Sequence, residues 1–250
     1  MQLVVDTLLT NCELSGKGDL IVLLHGWGDS ALGFKDMQAE LSKHYKTLAI
    51  DLPGFGSSEA PKEVWDLDNY AQFTADVIKK LEFKQPYALI GHSNGGAVAI
   101  KAVSLGLIAP RRLILIAASG IRKPLRARRL LLAIVAKTGN LATLWMPNRY
   151  REALRKSLYH AAGSDMLVTP ELEETFKKTV RQDVTLDARK IVVPTLLIYA
   201  QRDPAVPSGS GERYAELMEN AKLEVIEGAG HFVHHDQPEQ VLKIIRGFLS

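Results

Sequence analysis

Short apolar runs recur along this chain of 250 residues, and they constrain its fold more than any other feature. Each run is rich in Leu, Ile and Val and ends in turn-forming residues. The runs read DLIVLLHG, TLAIDLPG, PYALIGHS, RLILIAAS, PTLLIYAQ and KLEVIEGAG. Strands of a parallel sheet are buried on both faces, so they are apolar without alternation. The runs therefore predict six strands of a mainly parallel sheet.

Helical patterns lie between these apolar runs. They predict helices over residues 32–42, 68–81, 95–107, 209–220 and 238–249. An alternation of strands and helices indicates an α/β fold with right-handed crossover connections. The opening stretch, LVVDTLLTNCELSGKGD, predicts an antiparallel hairpin that leads into the sheet.

The alternation stops between residues 121 and 190, where helical patterns follow one another without strands. We expect a helical cap here, inserted into a core formed by residues 1–120 and 191–250. The cap carries 15 Lys and Arg against 7 Asp and Glu, whereas the rest of the chain has a net charge of −5. Such an excess is either a solvated face or a surface for an acidic partner or an anionic substrate. It lacks interleaved aromatic residues, which argues against nucleic acid binding.

Composition indicates which class of protein this chain belongs to. The chain is 46% hydrophobic and 24% charged, which is typical of a globular protein. No apolar run reaches the length of a membrane span. Cys12 is the single cysteine and has no partner for an intramolecular disulfide, and the N-terminus has no basic leader. These features predict a cytoplasmic protein. No cluster of His and Cys suggests a metal, and no motif implies a cofactor.

The stretch from Gly91 to Gly95, GHSNG, matches the pattern G-x-S-x-G around Ser93. Composition alone gives roughly 0.08 chance matches per chain, so the context must decide. An apolar run precedes the motif and a helical run of small residues follows it, as in a nucleophile elbow. The alternative is an ordinary strand-to-helix turn in which the serine caps the helix.

A nucleophilic serine needs a base, and the base needs a carboxylate that orients it. His231 follows a predicted strand and a glycine-rich turn, and Asp203 follows another predicted strand by a few residues. The chain order Ser93, Asp203, His231 fits the Ser–Asp–His order of α/β sheets with an elbow. Asp51 also follows a strand. We interpret it as a structural residue that fixes a turn, with a catalytic role as the alternative.

The other histidines receive simpler interpretations. His92, inside the motif, is expected to pack against its surroundings or to line the pocket. His234 and His235 precede a predicted helix and are interpreted as surface or capping residues. His44 and His160 lie in helical patterns, and we assign them no function.

An oxyanion hole needs two backbone N–H groups that converge on one point. The residue after the nucleophile, Asn94, supplies one candidate. The loop HGWG, which follows an earlier predicted strand, supplies the other through the N–H of Trp27. The alternative for this loop is an ordinary glycine-rich turn.

Five blocks of the sequence together resemble the α/β-hydrolase superfamily. They read LLHGWGDS, AIDLPGFGSS, LIGHSNGG, YAQRDPAVP and GAGHFVHHDQPEQ, and they span residues 23–240. The resemblance implies an eight-stranded, mostly parallel sheet flanked by helices, with Ser93 as nucleophile, Asp203 as acid and His231 as base. A serine at position 93 in place of an aspartate argues against the similar haloalkane dehalogenases and epoxide hydrolases.

The most similar branches of that superfamily are capped serine hydrolases: carboxylesterases, pimeloyl-carrier-protein methyl ester esterases and hydrolases that split carbon–carbon bonds of ring-fission products. We therefore expect a hydrolase that acts on small or medium acyl esters through an acyl-enzyme, without cofactor or metal. Carbon–carbon bond hydrolysis and a low-turnover ligand receptor are the alternatives. Cap residues Trp145, Arg122 and Arg126 are candidates for substrate binding.

Overall fold

The computed structural model describes residues 1–122 and 170–250. Its strands are β1 Gln2–Val5, β2 Leu8–Ser15, β3 Leu20–Leu24, β4 Lys46–Ile50, β5 Ala88–His92, β6 Arg112–Ile116, β7 Thr195–Ala200 and β8 Ala221–Ile226. They form one sheet in the order β1-β2-β4-β3-β5-β6-β7-β8. The pairs β1–β2 and β2–β4 are antiparallel, and the other neighbours are parallel. The predicted eight-stranded, mostly parallel sheet is confirmed.

Helices flank this sheet. They are α1 Lys35–Leu41, α2 Leu67–Lys80, α3 Asn94–Ser104, α4 Glu173–Thr179, α5 Thr185–Ala188, α6 Ser208–Leu217, α7 Val233–Asp236 and α8 Pro238–Leu249, with 3₁₀ turns at Ala31–Phe34 and Pro170–Leu172. The five predicted core helices are present, with ends within three residues of the prediction. Within the two described ranges, no helix combines the length and the apolar character that crossing a membrane requires.

The central strands β3 to β7 are buried on both faces, which explains why they are apolar almost throughout. In β3, Val22 and Leu24 face a cluster that contains residues of α2 and α3. Ile21 and Leu23, at alternate positions, face a second cluster that contains residues of α1 and α8. All four side chains have no exposed surface. Burying one such side chain stabilises the fold by about 1.5–3 kcal/mol, so these two layers provide much of the driving force for folding.

The carboxyl ends of the parallel strands meet at one edge of the sheet and bring distant polar residues together. His25 and Asp51 directly follow β3 and β4, and Ser93 directly follows β5. Asp203 lies three residues beyond β7, and His231 lies five residues beyond β8. Because parallel strands run in the same direction, all five residues lie along one edge, where open α/β sheets bind their ligands.

The described end of the predicted cap, residues 170–190, is helical and attaches to the start of α2. The Trp65 N–H donates to Thr175 Oγ1 at 3.1 Å, and the Leu67 N–H donates to Gln182 Oε1 at 2.7 Å. These bonds satisfy backbone donors at and before a helix N-terminus, which have no intrahelical partner. The cap boundaries stay a prediction, because most of the cap lies outside the described residues.

Candidate active site

The turn between β5 and α3 has a strained conformation at Ser93. Its φ is 51° and its ψ is −115°, a combination that L residues rarely adopt. Glycines on either side make the turn feasible. A Cβ on Gly91 would lie 2.5 Å from the carbonyl oxygen of Gly95, and a Cβ on Gly95 would collide with the carbonyl oxygens of Leu24 and His25. The glycines of G-x-S-x-G are therefore required by backbone contacts at this turn.

The structure brings Ser93, His231 and Asp203 into one hydrogen-bonded chain. Nε2 of His231 lies 3.0 Å from Oγ of Ser93, and Nδ1 lies 2.7 Å from Oδ2 of Asp203. The other carboxylate oxygen, Oδ1, accepts the N–H groups of Ala205 and Val206, each at 2.8 Å. The carboxylate is thus held by the backbone, and its remaining oxygen is directed at the imidazole. This arrangement favours the tautomer with the proton on Nδ1, which leaves the Nε2 lone pair facing the serine hydroxyl.

His92 packs directly against this chain, in agreement with its interpretation as a packed residue. Its ring centroid lies 5.0 Å from that of His231, and its Nε2–H donates to the His231 carbonyl oxygen at 3.1 Å. Burial, together with the neighbouring His234 and His231, lowers the pKa of His92 well below the ordinary value. His92 is therefore a neutral imidazole that ties the elbow to the loop bearing His231.

The interpretation of His234 as a surface or capping residue is wrong. The residue lies in α7, a one-turn helix that the sequence did not predict, and its ring stacks on Phe34 with centroids 5.3 Å apart. Burial, together with the neighbouring His235 and His231, lowers the pKa of His234 to about 3. His235 is exposed, as predicted, and its Nε2 lies 2.6 Å from the Gly33 carbonyl oxygen.

The loop that follows β3 is held in place by His25. Nδ1–H of this buried imidazole donates to the Gly26 carbonyl oxygen at 2.7 Å, and Nε2 accepts the Leu52 N–H at 3.0 Å. Burial lowers the pKa of His25, so the ring is neutral and can donate through Nδ1–H while it accepts at Nε2. A Cβ on Gly26 would lie 3.1 Å from the Cβ of Ser93, so the loop abuts the elbow.

The two backbone N–H groups predicted to form an oxyanion hole have no acceptor among the described residues. Neither the Trp27 N–H nor the Asn94 N–H donates to another described residue. The Trp27 side chain is buried against the rings of Phe55 and Phe176, with centroids 4.8 and 5.0 Å away, which fixes the position of its backbone. Asn94 begins α3, so its N–H lies at the positive end of the helix dipole.

Asp51 takes the structural role expected of it. Oδ1 accepts the Ala31 N–H at 2.6 Å, and Oδ2 accepts the Ser57 N–H at 2.9 Å and Nδ2 of Asn11 at 3.0 Å. Both carboxylate oxygens are therefore engaged in fixing turns, and the buried charge is compensated by three donors.

A cavity of about 800 Å³ lies beside Asn94. Its described lining combines polar with apolar residues. The polar ones are Asn94, Ser119, Arg122, Thr179, Gln182 and Ser210, and the apolar ones are Leu67, Ala97, Ile121, Val180, Ala205 and Val206. Arg122 is thus close to the predicted site, whereas Arg126 and Trp145 lie outside the described residues. Within residues 1–122 and 170–250, no group of His, Cys, Asp or Glu side chains is arranged to hold a metal ion.

Sequence reasoning missed the side chain of Asn94, since only its backbone N–H was considered. The residue is 7% exposed, and its Nδ2 is buried without a hydrogen-bond partner among the described residues. An asparagine at the first position of a helix of small and apolar residues was the available signal, because buried amides are expected to find partners.

Comparison with known proteins identifies the family of this chain. Residues 21–244 match the model of the alpha/beta hydrolase family. The chain belongs to that family. A curated relative of this alpha/beta hydrolase is the 2-hydroxy-6-oxo-2,4-heptadienoate hydrolase of Pseudomonas putida, which is 25% identical over 268 residues, 96% of this chain and 92% of the relative.

Solved structures share the fold at lower identity. A bacterial membrane phospholipase A superposes with a TM-score of 0.79 at 22% identity, covering 100% of this chain and 84% of the phospholipase chain. A thermophilic esterase from Thermogutta terrifontis superposes with a TM-score of 0.76 at 22% identity, covering 100% of this chain and 97% of the esterase chain. These two similarities concern the fold, whereas family membership and the similarity to the heptadienoate hydrolase support hydrolase activity.

Proposed function

We propose that this alpha/beta hydrolase cleaves carboxylic esters of small or medium acyl length through a serine acyl-enzyme. The hydrogen-bonded chain from Asp203 through His231 to Ser93 carries the proposal, with distances of 2.7 and 3.0 Å. In the first half-reaction His231 removes the hydroxyl proton while Ser93 attacks the ester carbonyl. His231 then returns that proton to the leaving alcohol.

Water completes the cycle by the same route. His231 takes a proton from the water as its oxygen attacks the acyl-enzyme, and it returns the proton to Ser93 as the acid departs. Asp203 keeps the Nδ1–H tautomer and stabilises the imidazolium that forms in each half-reaction. In both half-reactions the groups that transfer protons and stabilise charge are side chains and backbone N–H groups of the protein.

The N–H groups of Trp27 and Asn94 are our proposed oxyanion hole. Asn94 follows Ser93 directly, and Trp27 follows Gly26, which abuts the elbow. Neither N–H has another described acceptor, which supports a role in binding the oxygen on which charge develops. Removal of one such donor typically lowers kcat by about 10²–10³. The partial positive charge at the start of α3 acts in the same direction.

Cleavage of a carbon–carbon bond in a dienoic acid is the second candidate. It is favoured by similarity to the heptadienoate hydrolase and by the position of Arg122 on the cavity beside Asn94. A guanidinium there can bind a substrate carboxylate in a bidentate manner. An anionic substrate or an acidic partner at the basic cap stays a prediction, as does a location in the cytoplasm, which rests on the single cysteine, Cys12.

A substitution of the nucleophile tests the proposal. The wild-type protein and the Ser93→Ala variant are compared on p-nitrophenyl esters from acetate to octanoate, and on a dienoic ring-fission acid. We expect kcat/KM on the preferred ester to fall at least about 10⁴-fold in Ser93→Ala. Ser42→Ala, at the end of α1 and the opposite edge of the sheet, is the matched control.

Three outcomes separate the candidates. Ester hydrolysis that persists in Ser93→Ala contradicts the nucleophile assignment. Cleavage of the dienoic acid without ester turnover favours the second candidate. Tight ligand binding by a wild-type protein that turns over neither substrate class indicates a receptor.

A further inference from the structure

The side chain of Asn94 carries a donor that the described part of the fold does not use. The residue is 7% exposed, and its Nδ2 is buried without a hydrogen-bond partner among residues 1–122 and 170–250. About nine tenths of buried polar groups in proteins are hydrogen-bonded, so a buried NH₂ group without a partner requires an explanation. An apolar side chain of similar shape would fill this position without leaving a donor unsatisfied. The NH₂ group therefore contributes no hydrogen bond to the described fold.

The position of this amide points to a ligand. Asn94 lines the cavity of about 800 Å³, and it is the residue next to Ser93. Its backbone N–H is one of the two proposed oxyanion donors, so its side chain lies near the scissile carbonyl of a bound ester. Rotation about the last side-chain bond exchanges Nδ2 and Oδ1, so the NH₂ group can turn towards a substrate atom.

The rest of the described lining is mixed in character. Polar residues such as Ser119, Arg122 and Gln182 line it together with apolar residues, namely Leu67, Ala97, Ile121, Val180, Ala205 and Val206. An unsubstituted alkyl chain would contact the apolar part but would leave the buried Nδ2 of Asn94 without a partner, which costs binding energy. An acyl group that combines a hydrocarbon chain with an oxygen atom would match both parts.

We propose that the Asn94 side chain determines specificity: its amide donates a hydrogen bond to an oxygen on the acyl group of the ester, near the scissile carbonyl. The substrate class is therefore oxygenated acyl esters, such as oxo esters. This inference rests on the proposed function, because it takes Ser93 as the nucleophile and the cavity as the acyl pocket.

Pairs of esters of equal chain length test the proposal. p-Nitrophenyl 4-oxopentanoate is compared with the pentanoate, and the 5-oxohexanoate with the hexanoate, after subtraction of spontaneous hydrolysis. The readout is the ratio of the two kcat/KM values within one enzyme, which cancels changes common to both esters. We expect Asn94→Leu to lower this ratio about three- to tenfold for at least one pair, the amount that one neutral hydrogen bond provides.

Two controls separate specificity from structure. Thr179→Val is the matched variant, because Thr179 also lines the cavity but its hydroxyl already donates to the Phe176 carbonyl oxygen at 3.0 Å. We expect it to change the ratio less than twofold. The melting temperature of Asn94→Leu should equal or exceed that of the wild-type protein, because the change removes an unsatisfied buried donor.

Asn94→Asp is the second variant, since it keeps the shape and replaces the donors with acceptors; its ratio should also fall. The proposal is overturned if both variants keep the wild-type ratio for both ester pairs, or if Asn94→Leu melts well below the wild-type protein. If the wild-type protein hydrolyses none of the esters, or if Ser93→Ala still hydrolyses them, the proposed function is refuted and this inference with it.

Discussion

Two His–Asp pairs lie at the same edge of the sheet, and they use their hydrogen bonds differently. In the first pair, His25 has both ring nitrogens bonded to backbone groups, and Asp51 has both oxygens bonded to structural donors. In the second pair, Asp203 keeps one oxygen for His231, whose other nitrogen faces Ser93. The first pair is fully buried, whereas the side chain of His231 is 15% exposed.

The difference shows that residue type and position after a strand do not determine a catalytic role. What separates the pairs is the hydrogen-bonding capacity that the backbone leaves unused. His25 has no lone pair left for a proton, so it serves to hold the loop of Trp27. His231 retains one lone pair directed at a hydroxyl, as a general base requires.

The largest effect is expected from Asp203→Asn. In this variant the amide oxygen is expected to accept the Ala205 and Val206 N–H groups, so the NH₂ group faces Nδ1 of His231 and donates to it. This favours the wrong tautomer of His231, and the charge that stabilises the imidazolium is lost. We expect kcat on the preferred ester to fall about 10⁴-fold with the fold retained. Steady-state kinetics with circular dichroism measures both; a loss below tenfold would mean that the second pair is not catalytic.

The next effect is a dependence of stability on pH that reflects the buried histidines. Burial lowers the pKa values of His25, His92 and His234, so the unfolded chain, with histidine pKa values near 6.5, binds more protons in mildly acidic solution. Stability is therefore full above about pH 7.5 and is lost as the pH falls below about 6.5. Each ring contributes up to about 1.4 kcal/mol per pH unit.

Urea unfolding between pH 5 and pH 8 measures this dependence. In the variant His234→Phe, which keeps an apolar ring against Phe34, the slope below pH 6.5 should fall by about one third, because one of three such rings is removed. A free energy of unfolding that does not change between pH 5 and pH 6.5 would show that these rings are not neutral in the folded protein.

A smaller effect is expected from Asp51→Asn. The change removes a charged acceptor from three hydrogen bonds, and we expect the free energy of unfolding to fall by about 2–3 kcal/mol. The value of kcat should stay within about tenfold of the wild-type value, because Asp51 contacts no reacting group. A loss of activity as large as that of Asp203→Asn, at unchanged stability, would reverse the roles of the two pairs.

The smallest effect is expected from His92→Phe. This variant keeps an aromatic ring but removes the bond from Nε2–H to the His231 carbonyl oxygen. The loop that bears His231 is then less well fixed, so kcat should fall about three- to tenfold while KM changes little. Kinetics on the preferred ester checks this, and an unchanged kcat would show that the bond does not position His231.

Much of the fold could be predicted from the sequence, because its central strands, β3 to β7, are buried on both faces and stand out as apolar runs. The helix between Val233 and Asp236 could not, since four residues are too few to show a helical period. That short helix also directs His234 inwards against Phe34, a residue about 200 positions earlier in the chain. Contacts between such distant segments leave no local pattern.

For the candidate site, the positions of Ser93, Asp203 and His231 followed from the ends of the strands, and the structure brings the three together. The use of each polar atom could not be predicted. Whether Asp51 or Asp203 keeps an oxygen for a histidine depends on which N–H groups its turn presents. Likewise, the lack of a partner for Nδ2 of Asn94 among the described residues depends on contacts between distant segments, which the sequence does not reveal.

Labelling with a fluorophosphonate tests the central claim most directly, because the reagent reacts with an activated serine hydroxyl. The labelled residue is identified by mass spectrometry, and the labelling rate is compared among the wild-type protein, Asp51→Asn and Asp203→Asn. We predict a single label on Ser93, at a similar rate in the wild-type protein and Asp51→Asn and at least about 10²-fold slower in Asp203→Asn. Labelling at another residue, or equal rates in all three proteins, would contradict the account.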